Sequence, residues 1–143
     1  MAFVKVMIHA VWGTKSRHPY LTKKIRDVVI SHIKENALKK QIYIDTINGH
    51  TDHLHCLFGL NTDITIAKTL QLIKGESAFW INQEKLTNPK FEWADEYFAA
   101  SVSESQLNKV RDYINNQEEH HKKTTFATEY EKFITKYNFT NHG

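Results

Sequence analysis

Alternating apolar and polar residues predict β-strands at several places along the chain. In residues 3–14, every second residue from Val4 to Trp12 is apolar. Side chains on a strand point alternately to its two faces, so this pattern predicts a strand with one buried face. Similar patterns bounded by turn residues predict three further strands, at 41–48, 53–60 and 93–102. The Gly49–Asp52 segment lies between two of them and predicts a hairpin turn.

Apolar residues at helical spacing predict four helices between and after these strands. The segments are 22–40, 66–81, a helix that starts near Ser103, and a last helix that carries Phe126, Tyr130, Phe133 and Tyr137. The order β-α-β-β-α-β-α-α predicts an α+β fold, a ferredoxin-like β-α-β-β-α-β sandwich with an antiparallel sheet and added C-terminal helices. That fold carries many unrelated functions, so the chemistry must come from particular residues.

The composition favours one ordinary globular domain over residues 1–143. The chain is 41% apolar and 24% charged, and no apolar run approaches the ~20 residues needed to span a membrane. Its single cysteine, Cys56, excludes an internal disulfide and predicts a cytoplasmic protein. A net charge of +3 permits nucleic-acid binding without requiring it.

His53 and His55 are the first candidates for chemistry. They alternate with Leu54, Cys56 and Phe58 on one predicted strand, so both imidazoles point the same way, with Cα atoms ~6.6 Å apart. Two imidazoles so placed can bind one metal ion. The chain has 9 histidines, however, and a chance pair of ordinary surface histidines remains the alternative.

A helix downstream offers a second group of polar residues. Ser103 followed by Gln106 predicts a capping box, and apolar residues from Leu107 onward recur at helical spacing. Tyr113 and Gln117 lie four residues apart and therefore share a face of this helix. The alternative is that Tyr113 is a half-buried structural tyrosine.

These motifs together resemble a known family. His53-Leu54-His55 has the His-hydrophobic-His form of HUH endonucleases, and Tyr113-Ile-x-x-Gln117 followed by two histidines resembles the small single-tyrosine transposases of bacterial insertion sequences, the IS200-like transposases. Residues 9–17 resemble the opening strand and basic turn of that family, and Lys74-Gly75-Glu76-Ser77 resembles a helix motif of it. Proline is common in the family near 62–63, where this chain has Thr-Asp.

The resemblance implies a transposase that cuts and rejoins single-stranded DNA at hairpin-bearing ends. Tyr113 would be the nucleophile that forms a 5′-phosphotyrosine intermediate. A divalent ion, Mg²⁺ or Mn²⁺, would bind His53, His55 and Gln117. A homodimer is also implied, in which Tyr113 of one subunit serves the histidines of the other.

Other residues are candidates for supporting roles. Asp52 is either a hydrogen-bond acceptor for one of the ligand histidines or a plain turn aspartate, and His121 lies on nearly the same helix face as Tyr113. His9 is expected to face away from Val4, Val6 and Ile8, which makes it a minor candidate. The expected DNA-binding side chains are Arg17, Lys68, Lys74 and Lys122, against the alternative of a solvated surface.

Two other functions fit the same residues. One is a different HUH enzyme, such as a domesticated or non-mobile nickase. The other is a non-catalytic, ferredoxin-like nucleic-acid-binding module. Retention of His53, His55, Tyr113 and Gln117 together favours the transposase.

Overall fold

A four-stranded antiparallel sheet forms the centre of the protein. The computed structural model describes residues 1–137, apart from the side chains at 133, 134 and 137. The strands are β1 (Met7–Gly13), β2 (Tyr43–His50), β3 (His53–Gly59) and β4 (Phe98–Val102), in the spatial order β2-β3-β1-β4. This order and the helical connections confirm the predicted α+β fold.

Five α-helices within residues 1–137 cover the sheet on both faces. They are α1 (Lys23–Lys39), α2 (Ile66–Gln83), α3 (Leu107–Asn115), α4 (Gln117–His121) and α5 (Phe126–Tyr137). None of the helices within residues 1–137 is both long and apolar enough to cross a membrane. The prediction of one domain over 1–143 stays a prediction, and the expected helix-face positions of Phe133 and Tyr137 lie outside the described side chains.

The two faces of the sheet have different characters, because alternate residues of β1 and β3 point to opposite sides. One face packs against α1 and α2 and is apolar; it is formed by Ile8, Ala10, Trp12, Leu54, Cys56 and Phe58. The other face carries Met7 and Leu57, which pack against Leu107 and Ile114 of α3. His9, His53 and His55 lie on this second face, so the polar residues are enclosed by the C-terminal helices.

Several predicted strand boundaries were wrong, including the start of β2, which is Tyr43 and not residue 41. Residues 3–6 are not part of β1, whose pairing with β3 and β4 begins at Met7, and Val4 and Val6 are exposed. β4 begins at Phe98, while Trp93 makes only an isolated bridge to Thr14. The turn of the hairpin contains only Thr51 and Asp52, because β2 continues to His50.

The predicted helix that carries Tyr113 and Gln117 is two helices. α3 ends at Asn115, and Asn116, with φ −100° and ψ 26°, separates it from α4. Asparagine is a weak helix former, which explains a break at an Asn-Asn pair. The predicted capping box at Ser103 was also wrong: its side chain caps no backbone N–H, and its hydroxyl lies 3.3 Å from that of Ser105.

Candidate functional site

His53 and His55 point side by side into a closed space between the sheet and the C-terminal helices. Both are fully buried, and their ring centroids are 5.2 Å apart. This burial excludes the alternative of ordinary surface histidines. Burying two imidazoles is costly unless each finds hydrogen-bond partners, so the groups around them are informative.

The Nδ1 atom of each histidine lies within hydrogen-bond distance of another side chain. Asp52 Oδ1 lies 2.9 Å from His53 Nδ1, and His9 Nε2 lies 2.9 Å from His55 Nδ1. These contacts orient both rings so that the two Nε2 atoms face the same space. The structure thus places Asp52 where an orienting acceptor is expected. His9 faces away from the apolar core, as expected, and that orientation puts it in this cluster.

Gln117 brings an amide oxygen to the same space. Its side chain is fully buried, and Oε1 lies 3.1 Å from His53 Nε2 and 3.1 Å from His121 Nε2. Its amide Nε2 donates to the carbonyl oxygen of Tyr113, 3.2 Å away. Although Asn116 breaks the helix, this contact keeps Gln117 one turn from Tyr113, as the spacing predicted.

Tyr113 reaches the histidine cluster of its own chain. Its ring lies edge-on to His55, with centroids 5.4 Å apart, and its hydroxyl donates to Glu129. The hydroxyl also lies 3.4 Å from His120 Nε2. α3 is fixed to the sheet by Arg111, which donates to both carboxylate oxygens of Asp45 at 2.9 and 2.8 Å.

Glu129, from α5, is a site residue that the sequence reasoning missed. Its carboxylate Oε1 lies 3.1 Å from His55 Nε2, 3.4 Å from His53 Nε2 and 3.5 Å from His121 Nε2. Its Oε2 lies 2.9 Å from His120 Nε2. The available signal was its place three residues after Phe126, on the buried stripe of the last helix.

The electrostatics of the cluster depend on this carboxylate. Burial raises the pKa of Glu129, but hydrogen bonds from His121, His53 and His55 outweigh burial and hold the pKa far below its usual range. Burial lowers the pKa of His53, but hydrogen bonds to Asp52 and Glu129 outweigh it and leave the pKa raised. Burial lowers the pKa of His55 to about 4 and that of His9 to about 3.

The donor atoms fit a divalent metal ion. Ligand atoms of His53, His55 and Glu129 lie within 4.8 Å of one another, and Gln117 Oε1 is in hydrogen-bond distance of His53. Two imidazoles with neutral and anionic oxygens suit Mn²⁺. Mg²⁺ suits the oxygens but is less well matched to imidazole nitrogen. Cys56 points into the apolar core on the other face, so it offers no ligand for a four-ligand zinc site.

The four predicted DNA-binding side chains do not form one patch. The Arg17 guanidinium lies over the rings of Phe126 and Tyr130, near the site. Lys122 pairs with a neighbouring glutamate on the surface. Lys68 is exposed on α2, across the sheet from the histidines, and half-buried Lys74 on the same helix donates to the carbonyl oxygens of residues 94 and 95.

Comparison with known proteins identifies the family. The model of the transposase family described as IS200-like matches residues 2–117, which contain His53, His55, Tyr113 and Gln117. The chain belongs to the IS200-like transposase family. Glu129 lies beyond the matched residues.

Relatives of this IS200-like transposase agree with that assignment. The ISDra2 transposase TnpA of Deinococcus radiodurans is 25% identical over 115 residues, which are 76% of this chain and 81% of the relative. A crystal structure of a candidate transposase from Deinococcus radiodurans is 25% identical, with a TM-score of 0.66 over 81% of this chain and 93% of that one. A REP-associated tyrosine transposase bound to a REP hairpin shares the fold at 14% identity, with a TM-score of 0.64 over 85% of this chain and 72% of that one.

Proposed function

We propose that this IS200-like transposase cuts and rejoins single-stranded DNA through a covalent link to Tyr113. The observation that carries the proposal is the convergence of His53 Nε2, His55 Nε2 and Gln117 Oε1 on one space, with the Tyr113 hydroxyl at the other end of the Glu129 carboxylate. The proposed metal ligands are His53, His55 and Gln117, for Mg²⁺ or Mn²⁺. When bound, such an ion supplies charge neutralisation on the phosphate and on the departing oxygen.

The residues of the chain then have separate tasks. The phenol oxygen of Tyr113 attacks the scissile phosphorus and gives up its proton. The bond from phosphorus to the 3′ oxygen breaks, and the departing oxygen takes up a proton. The products are a 5′-phosphotyrosine and a free 3′-hydroxyl. Because the number of phosphodiester bonds is conserved, a 3′-hydroxyl from another strand can reverse the step and rejoin DNA without ATP.

Asp52 orients His53, and His9 orients His55. The basic residues named as DNA-binding candidates contact the DNA. Arg17 stands nearest the site, and Lys68, Lys74 and Lys122 are proposed to contact phosphates elsewhere on the DNA. A hairpin-bearing single strand is the proposed substrate, in keeping with the hairpin bound by one structural neighbour. We place this activity in the cytoplasm.

Covalent trapping tests the proposal. Single-stranded oligonucleotides covering the DNA that flanks the gene are incubated with the protein and Mn²⁺, and adducts are mapped by mass spectrometry. We expect an adduct on Tyr113 and none in Tyr113→Phe, which should keep its fold and its DNA binding. An adduct on Tyr97 or Tyr130, or none on any strand, contradicts the mechanism. Cleavage without rejoining favours the nickase, and binding without cleavage favours the non-catalytic module.

We further propose a homodimer in which Tyr113 serves the histidines of the partner during cleavage. Within one chain Tyr113 also reaches its own histidines, so a mixed dimer is needed to separate the two arrangements. A heterodimer of Tyr113→Phe with His53→Ala has one complete site only if tyrosines act in trans. Recovery of adduct formation by co-refolded mutants supports the trans arrangement, and persistent inactivity of a confirmed heterodimer excludes it.

A further inference from the structure

α5 closes the site that the proposed reaction needs open. The Phe126 ring lies parallel to the His53 ring, with centroids 4.1 Å apart and an interplanar angle of 3°. Phe126 also contacts β1 at Gly13, where an added Cβ atom would lie 2.9 Å from the phenyl ring. With α5 so placed, His53, His55 and Gln117 have no exposed surface, and a DNA strand has no path to them.

The second turn of α5 strengthens this closure. The Arg17 guanidinium lies 5.4 Å from the centre of the Tyr130 ring, and Phe98 packs edge-on against the same ring. These contacts join the loop after β1, β4 and α5. The outer side of α5 is polar, with Glu131 and Lys132 exposed, so the helix is amphipathic and can lie on the sheet without being part of its core.

The Glu129 carboxylate joins the two halves of the site. One oxygen faces the Nε2 atoms of His53 and His55, and the other accepts from the Tyr113 hydroxyl and lies near His120. A phosphodiester also presents two oxygens that share one negative charge. In the proposed reaction, the scissile phosphate must face the metal-binding atoms on one side and Tyr113 on the other. Glu129 makes both of these contacts.

We propose that Glu129 is a pseudosubstrate, which occupies the place of the scissile phosphate until single-stranded DNA displaces it together with α5. The inference rests on the proposed function of the site. Without a metal ion between them, a carboxylate and a phosphodiester repel each other in a buried space, and both need the same donors. Glu129 also lies outside the residues 2–117 that match the family, so this device belongs to the C-terminal part of this chain.

The alternative is that Glu129 is a permanent metal ligand that remains in place while the phosphate binds. Both readings expect Mn²⁺ affinity to fall when the carboxylate is removed, since an anionic oxygen is lost. They differ in whether a phosphate reaches the metal site of the wild type, where Glu129 is present. Access of a phosphate is therefore the quantity to measure, and it requires neither cleavage nor knowledge of the DNA sequence.

The experiment compares Glu129→Gln and Glu129→Ala with the wild type, with Glu131→Gln as the matched control. Glu131 lies on the same helix but is exposed, so its replacement removes the same charge without opening the site. Each full-length protein is loaded with Mn²⁺ to equal occupancy, checked by electron paramagnetic resonance, and the ³¹P relaxation of added inorganic phosphate is recorded. Thermal melting is used to check that each variant remains folded.

We expect several-fold faster ³¹P relaxation in both Glu129 variants and wild-type values in Glu131→Gln. Equal relaxation in all four proteins overturns the proposal, since Glu129 would then not hold the place of a phosphate. If Mn²⁺ binds the wild type and His55→Ala equally, the proposed metal site itself fails, which is a separate result.

A second measurement decides the matter if the Glu129 variants no longer hold Mn²⁺. Binding of a dye-labelled oligothymidylate is then measured in EDTA by fluorescence anisotropy. Several-fold tighter binding by Glu129→Gln than by Glu131→Gln supports the proposal. An equal gain in both reports only the change in net charge and overturns it.

Discussion

Asp52 offers a sharp test of how the histidines are held for metal binding. Its carboxylate lies 2.9 Å from Nδ1 of His53, a side chain with no exposed surface, whereas Asp52 is partly open to solvent. Replacing it by alanine removes only this contact. The backbone oxygen of residue 52, which accepts from the Thr14 N–H at 2.8 Å, is untouched. The fold should therefore survive while His53 loses its fixed orientation.

The size of the effect follows from this hydrogen bond. Hydrogen bonds to charged groups contribute about 1.5–3 kcal/mol. Loss of an outer partner of a metal-binding histidine typically lowers metal affinity about 10–100-fold, equivalent to about 1.4–2.8 kcal/mol. The two ranges agree. Asp52→Asn keeps an acceptor oxygen without the charge, so it should lose less affinity than Asp52→Ala.

Isothermal titration of Mn²⁺ at pH 8 provides the measurement. The raised pKa of His53 makes protons compete with the metal at lower pH, and Asp52→Ala would relieve that competition and mask the loss. Asp63→Ala, in an exposed loop, is the matched control and should bind as the wild type does. If Asp52→Ala binds Mn²⁺ within about twofold of the wild type, Asp52 is only a turn residue and the reasoning is wrong.

Two further predictions concern acid stability and the position of α3. Burial lowers the pKa of His9 and His55 below 6.5 in the folded chain. Below that pH these histidines are protonated in the unfolded chain but remain neutral in the folded one. The free energy of unfolding should therefore fall from about pH 6.5 towards 4. Urea unfolding in EDTA measures this loss, which should be smaller in His9→Gln; a flat profile contradicts it. Arg111→Lys replaces a two-pronged contact with Asp45 by a point charge, so the rate of adduct formation should fall up to about tenfold at unchanged Mn²⁺ affinity. An unchanged rate would show that this contact does not position Tyr113.

The sequence predicted the sheet and the direction of its histidines because strand periodicity is a local property. Alternation in β3 places Leu54 and Cys56 in the core, and His53 and His55 must then lie opposite. The same rule failed at residues 3–6. Alternation there is equally regular, but strand formation requires a neighbour, and the pairing of β1 with β3 and β4 starts at Met7. Periodicity indicates which face a residue takes and not whether a partner strand exists.

Two features of the site depend on contacts that are distant in sequence. Glu129 contacts His55, from which it is separated by 74 positions in the sequence, and His9 contacts His55 from 46 positions away. Neither contact produces a local sequence pattern beyond helical or strand spacing. Periodicity could therefore place each residue on a face of its element, but it could not show that the residue contacts His55. The break at Asn116 was also missed, yet Gln117 still lies one turn from Tyr113 because its side chain bonds the Tyr113 carbonyl.

The arrangement of β3 ties the stability of the protein to its chemistry. His53, His55 and Leu57 form one row on the second face of the sheet, where Leu57 packs against α3 and the ring nitrogens of the histidines meet polar groups. An apolar face would be simpler to bury, since buried polar groups cost free energy unless every one is paired. Here the pairing is supplied by groups from β1, the hairpin turn, α4 and α5. Because α5 contributes the carboxylate oxygen that lies 3.1 Å from His55 Nε2, the proposed displacement of α5 would remove this contact, and an incoming phosphate with its metal ion would take its place.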